Sequence, residues 1–124
     1  MALQRALRLR KNGDFQRVRQ QGRNIASRLL ILAWAPNNVA QLRVGFVISK
    51  RISKRATARN YIKRLLSEAI RPLLPMIPVG WDIVISAKSP VQEANLQALI
   101  LDLSAMLRRA QLLNVKQQNE KSIL

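Results

Sequence analysis

The sequence predicts an α+β sandwich, helices laid on a small sheet, and three observations carry that prediction. At 124 residues, 48% of them hydrophobic, the chain is of single-domain size with apolar mass for one modest core. Strand-like and helix-period runs follow one another in the order helix, short strand, two strands, helix, strand, helix. No repeat, low-complexity tract or Gly/Ser linker interrupts them, so residues 1–124 read as one domain, with a polar, frayed tail from Lys116.

Each element has its own signal. Asn12-Gly13-Asp14 offers an N-cap, Phe15 and Val18 share a face, and Gly22 stands where a C-cap belongs, which predicts a first helix. A short extended piece, Arg23 to Ala26, follows it. Arg28 to Ala35 is a β-rich apolar run, Pro36-Asn37-Asn38 breaks it, and Leu42 to Ser49 is a second run; together they read as an antiparallel hairpin with a loose loop. From Thr57 to Ile70 the spacing turns helical, and Pro72 disfavours helix at Arg71, so a loop is expected through Pro75, Pro78 and Gly80. Trp81 to Ser86 alternates like a strand. Ser89 as N-cap, Pro90 at the first helical position and Gln92 completing a capping box predict the start of a last helix. Its stripe of Leu96, Leu99, Ile100, Leu103, Met106 and Leu107 is a core-packing face.

Charge narrows the function. The chain carries 22 Lys and Arg against 6 Asp and Glu, a formal +16. Residues 1–71 hold 17 of the basic residues and only Asp14 and Glu68 among the acids, a net +15, whereas residues 72–124 come to +1. Such a surface calls for a polyanionic partner, bound by the first half of the chain. Cysteine and histidine are both absent, which removes disulfides, thiolate chemistry, the commonest metal ligand and the commonest general base. The six carboxylates are scattered without ligand spacing, so no metal site and no catalytic set is expected in the protein. A reducing, cytoplasmic setting fits the cysteine count, and no apolar run approaches the roughly 20 residues of a membrane span. The acid-free, Arg-rich start also has the look of an organelle transit peptide, but it lacks Ser and its basic character continues far downstream.

The densest charge lies on the middle helix. With Arg59 at zero on a helical wheel, Asn60, Lys63, Arg64, Ser67 and Arg71 fall between roughly 40° and 140°, and Ala58, Ile62, Leu65, Leu66 and Ala69 between about 240° and 340°. One face is apolar and the other cationic. Lys50, Arg51, Lys54 and Arg55 add four charges just upstream. A solvated helix face usually mixes signs, yet here only Glu68 is acidic, with Arg64 and Arg71 in pairing reach. Arg and Lys neutralise phosphates, while Asn60 and Ser67 offer hydrogen bonds to sugar or base edges. A ribosomal or other structural RNA-binding protein would share these features. A DNA-binding helix module is a further class, disfavoured by the missing helix-turn-helix.

Gly45-Phe46-Val47-Ile48-Ser49-Lys50-Arg51, followed by Ala56-Thr57-Ala58-Arg59-Asn60-Tyr61-Ile62-Lys63-Arg64-Leu65-Leu66-Ser67-Glu68, resembles the signature of the bacterial ribonuclease P protein family. Leu9 to Val18, with Gly22 after it, is similar to that family's opening helix, and the likeness runs from about residue 5 to about residue 112. Tyr61 stands where the family usually has the second Arg of Arg-Asn-Arg, and Ser67 where an Arg precedes the Glu. Arg19 replaces a second aromatic after Phe15, and Trp34 is the aromatic nearest the middle of the first long strand.

The resemblance implies an αβββαβα fold with a left-handed βαβ crossover through the Arg-Asn helix. It implies an accessory subunit that assists a catalytic RNA in removing the 5′ leader of precursor tRNA. Lys50, Arg51, Lys54, Arg55, Arg59, Asn60, Lys63 and Arg64 would face the catalytic RNA, and Phe15, Arg19 and Trp34 would line a cleft for the leader. Magnesium would be held mainly by the RNA subunit and the substrate. No small-molecule ligand is expected, and Tyr61 gains a possible role in stacking on a base.

Overall fold

A computed structural model describes residue 3 and residues 7–113. The elements are α1 (Asn12–Gln21), β1 (Arg23–Ala26), β2 (Leu30–Pro36), β3 (Arg43–Val47), α2 (Ala56–Ile70), β4 (Trp81–Ala87) and α3 (Leu96–Arg109), with 3-10 turns at Arg71–Met76 and Ser89–Glu93. The predicted α+β class and element order hold. The tail from Lys116 lies outside the described residues.

The expected hairpin does not form. The sheet order is β1-β2-β4-β3, so β4 separates β2 from β3, antiparallel to the first and parallel to the second. Ile83, Val84 and Ile85 are fully buried, as a strand covered on both faces requires. The β2–β3 loop steps over the start of β4 and is fixed there. Asn37 N–H donates to the Gly80 carbonyl (2.8 Å), and Gly80 N–H donates to Gln41 (2.9 Å). Gly80 has φ +91, a left-handed conformation that costs glycine nothing. α2 spans the parallel pair β3 and β4, as a crossover must.

The sheet has two unequal faces. Leu30, Leu32, Trp34, Ile83 and Ile85 join Ile62, Leu66, Ile70, Leu99, Leu103 and Leu107 in the main core, so α2 and α3 cover one side completely. On the other side Val18, Ala33, Ala35 and Val84 form a small cluster with Phe15 against it. Only Val18 of α1 is buried outright, so apolar contact holds this helix with little more than one valine and part of a phenylalanine, roughly 2–4 kcal/mol together.

Several local expectations are corrected by packing. The α1 N-cap is Lys11, without a side-chain bond, and not the Asn12–Asp14 cluster. Gly22 does end α1, but with φ −81; a Cβ there would run into the Trp34 and Val18 carbonyls, so close approach demands the glycine. β2 begins at Leu30, because Ser27 Oγ accepts from Leu29 N–H and Leu30 N–H and holds the preceding turn. Arg71 stays helical before Pro72, and the expected loop is a 3-10 turn whose Leu73 plugs the core. Ser89–Glu93 is likewise a separate 3-10 turn: α3 starts at Leu96, capped by Asn95, which accepts from Ala98 N–H at 2.8 Å. Gln92 bonds the Ile52 carbonyl instead of closing a capping box. Leu96, at the start of the predicted stripe, is exposed.

Asp82 is the one buried carboxylate among the described residues. Arg43 donates to both of its oxygens at 2.8 Å, Asn37 Nδ2 donates at 2.8 Å, and Arg17 donates from α1. Burial pushes the carboxyl up, but the Arg43 fork, the Asn37 amide and the two guanidinium charges outweigh it and hold the pKa below the ordinary value. A depressed folded pKa stabilises above the unfolded value and is lost as pH falls through the folded one. Denaturation by urea should therefore show stability falling as pH drops below about 4. Asp82→Asn should cost on the order of 3 kcal/mol at neutral pH and flatten that acid limb. An acid limb unchanged in the variant would contradict this role.

Candidate RNA-binding surfaces

The predicted cationic set divides between a loop and a helix face. Lys50, Arg51, Lys54 and Arg55 are exposed on the loop joining β3 to α2, and Asn60, Lys63 and Arg64 are exposed on α2. The loop is a fixed object. Buried Ile52 plugs it into the core, Ile52 N–H turns back to the Ser49 carbonyl (3.0 Å), and the Gln92 amide donates to the Ile52 carbonyl. Arg59 is half-buried and donates to the Ser53 carbonyl (2.9 Å), so part of its guanidinium closes the loop onto the helix. Sequence periodicity had no means of seeing that bond.

Ser67 departs from the expected cationic face. It is 4% exposed, and its hydroxyl donates to the Lys63 carbonyl (2.9 Å), one turn back. That bond satisfies the hydroxyl inside the helix. Glu68 pairs with Arg71 at 3.7 Å. Tyr61 is 60% exposed on α2, open to a stacking partner.

A second surface lies between α1 and the sheet. The Phe15 ring rests directly on the backbone of Gly45, where any Cβ would collide with it. Around it a groove is lined by Asn12, Gln16, Arg19, Phe46, Val47 and Lys63. The structure thus brings Lys63, assigned with the α2 face, together with Phe15 and Arg19. Beyond the end of α1 the groove adjoins a wider depression of about 730 Å³ on the uncovered part of the sheet, which Arg19 and Val47 also line. Ile31 and Ser86 form its floor, and Arg28, Arg51 and Lys88 stand around it. On the other side of Phe15, Arg8 and Arg10 border the neighbouring hollow.

Trp34 must be taken out of the cleft. Side chains alternate along β2, so Ala33 and Ala35 face α1 while Trp34 points to the opposite face, 7% exposed in the main core. Arg8, Arg10, Arg28, Ile31 and Lys88 were missed by sequence reasoning, since they are scattered along the chain and only the fold gathers them.

Among the described residues no three His, Cys, Asp or Glu side chains gather as a metal site. Asp14 and Asp82 face Arg17 and Arg43, Glu68 faces Arg71, and Asp102 accepts from Ser27 (2.6 Å). The carboxylates neutralise or position neighbours. Among the described residues, no helix is long and apolar enough to cross a membrane.

A cationic loop and helix beside a basic groove floored by an aromatic ring define a polyanion-binding α+β protein suited to RNA. The family model Ribonuclease P matches residues 3–111, and the chain belongs to the ribonuclease P protein family. It is accordingly a protein subunit of the endoribonuclease that matures tRNA 5′ ends. The "Ribonuclease P protein component" of Chloroflexus aurantiacus is 44% identical over 112 residues, covering 90% of this chain and 82% of the relative. That of Picosynechococcus sp. is 33% identical over 111 residues, covering 90% and 96%. The Staphylococcus aureus ribonuclease P protein structure superposes with a TM-score of 0.79 at 29% identity, over 89% of this chain and all of that one. The Thermotoga maritima protein gives 0.73 at 26% identity, over 82% and 96%.

One substitution tests the groove's construction. Gly45→Ala should displace the Phe15 ring, seen as altered ring chemical shifts, and lower stability by roughly 1–3 kcal/mol. An unmoved ring would show that Gly45 does not seat it.

Proposed function

We propose that this subunit divides its RNA contacts between two surfaces, docking the catalytic RNA on one and holding the precursor's single-stranded leader on the other. The docking surface is the loop and α2 face: Lys50, Arg51, Lys54, Arg55, Arg59, Asn60, Lys63 and Arg64. The leader runs in the groove at Phe15 and Arg19 and continues over Ile31 and Ser86 toward Arg28 and Lys88. The observation that carries this reading is the Phe15 ring on Gly45, set in a trough whose rim cations, Arg19, Arg28, Arg51, Lys63 and Lys88, come from five separate parts of the chain. A flat ring in a basic trough suits an unpaired, stackable strand. A duplex presents no free base faces to it.

The chemistry then belongs to the RNA. Magnesium is held mainly by the catalytic RNA and the substrate: Asp14, Glu68, Asp82 and Asp102 are engaged with the protein's own side chains, and no three described ligand side chains gather. The protein contributes position and charge. Its cations screen the repulsion between two polyanions, which lowers the magnesium requirement, and the groove adds affinity for a substrate that still carries its leader. This places its action in the cytoplasm, on precursor tRNA.

The decisive experiment is cleavage of precursor tRNA by the RNA subunit at low magnesium, with and without the protein. Stimulation is expected, and its absence would overturn the reading. Lys54→Ala should weaken RNA-subunit binding and reduce the slope of log K against log salt by about one. Phe15→Ala should leave that binding intact and reduce the preference for precursor over mature tRNA roughly tenfold. An unchanged preference would rule the groove out as the leader site.

A further inference from the structure

We infer that the buried Asp82 and its partner Arg17 are positioning residues for the leader groove, holding the Phe15 end of α1 at a fixed distance from the sheet. The inference rests on the leader reading above and adds to it the device that sets the groove's width.

The argument begins with how weakly α1 is held by apolar contact. Val18 is its one buried side chain, and its C-terminal end is located by the close approach of Gly22 to the Trp34 carbonyl. In the N-terminal half the Phe15 ring on Gly45 is the apolar seat, and no side chain there is fully buried. Charge supplies a second one. Arg17, two residues past Phe15, reaches from α1 to Asp82 on β4 and donates to the Pro36 carbonyl at the end of β2 (3.0 Å). Asp14, the residue before Phe15, lies 3.8 Å from Arg43, which itself forks onto Asp82. Phe15 is therefore bracketed in sequence by two residues tied to one buried carboxylate. Arg43 is also two positions before Gly45 on β3, so the strand under the ring and the helix that carries the ring share that anchor.

The geometry separates this from a direct contact with RNA. Asp82 is fully buried and reaches RNA only through other residues. Breaking the anchor should loosen the N-terminal half of α1 and lower the fraction of molecules with a groove of the right width, so leader affinity falls by that fraction. Docking of the catalytic RNA through Lys50, Lys54, Arg55, Asn60 and Arg64, none of which lines the groove, is left alone.

The test is a double-mutant cycle in the reconstituted holoenzyme, reading the affinity ratio of precursor to mature tRNA and, separately, affinity for the RNA subunit. Arg17→Gln should lower the ratio roughly threefold to tenfold with RNA-subunit affinity unchanged. In a Phe15→Ala background Arg17→Gln should cause no further loss, because it acts through the ring's placement. Asp82→Asn, where urea denaturation shows it folded under assay conditions, should reproduce the Arg17→Gln loss. Full additivity with Phe15→Ala would mean that Arg17 touches the leader itself, and would overturn the proposal. So would a parallel loss of RNA-subunit binding. A ratio lowered by Phe15→Ala but untouched by Arg17→Gln sinks the positioning role alone, whereas a ratio untouched by Phe15→Ala removes the leader groove and the positioning role with it.

Discussion

The insertion of β4 between β2 and β3 is the constraint from which the rest of the architecture follows. A parallel neighbour for β3 needs a crossover, and α2 is that crossover, so the helix with the most charge is pinned at both ends by the sheet. Its apolar face, through Ile62, Leu66, Ala69 and Ile70, fills the space over β3 and β4. Its other face is left for solvent and phosphate. β3 becomes an edge strand, and the trough between α1 and α2 opens along that edge. Had β2 and β3 paired as a hairpin, the docking face and the groove would not adjoin.

Charge and apolar burial do different work on the two sides of the sheet. The covered side is a conventional core of Leu and Ile from strands and helices. The half-covered side is held by a buried carboxylate, two arginines, an asparagine and a valine. Such polar seating is weaker per contact but directional, since a forked guanidinium accepts one orientation where a leucine accepts many. It stands beside the groove proposed to need precise spacing, so there the same contacts serve both stability and geometry.

Much of this was legible in the sequence, and the failures have physical causes. The 100° periodicity from Thr57 to Ile70 located α2 and its apolar face, and the lopsided charge assigned most of the basic surface to the first half of the chain. The hairpin was wrong because two apolar runs with a turn between them do not name their neighbours. The unbroken Ile83-Val84-Ile85 run was a signal for a central strand, and it was read as simple alternation. Trp34 was assigned to the cleft by nearness in sequence to the family's aromatic, but a shift of one residue in a strand reverses the face. Ser67 fell on the cationic arc of the wheel, yet a wheel says nothing about what packs over a helix. Asp82 looked like any isolated acid, since its partners Arg17, Asn37 and Arg43 are 39 to 65 residues away.

The edge of β3 carries one more consequence. Its outer side is bridged at Val44 by Arg8, where Leu9 N–H donates to the Val44 carbonyl (3.0 Å). No further ladder is recorded along that side of β3 among the described residues. An open strand next to apolar surface is a template for pairing with a second copy of the chain. Here Arg8, Arg10, Arg19 and Lys63 stand on both flanks, and an incoming copy would bring the same cations with it. The charges proposed to admit an anionic strand would thus also act as gatekeepers against self-association, one set of side chains serving both ends.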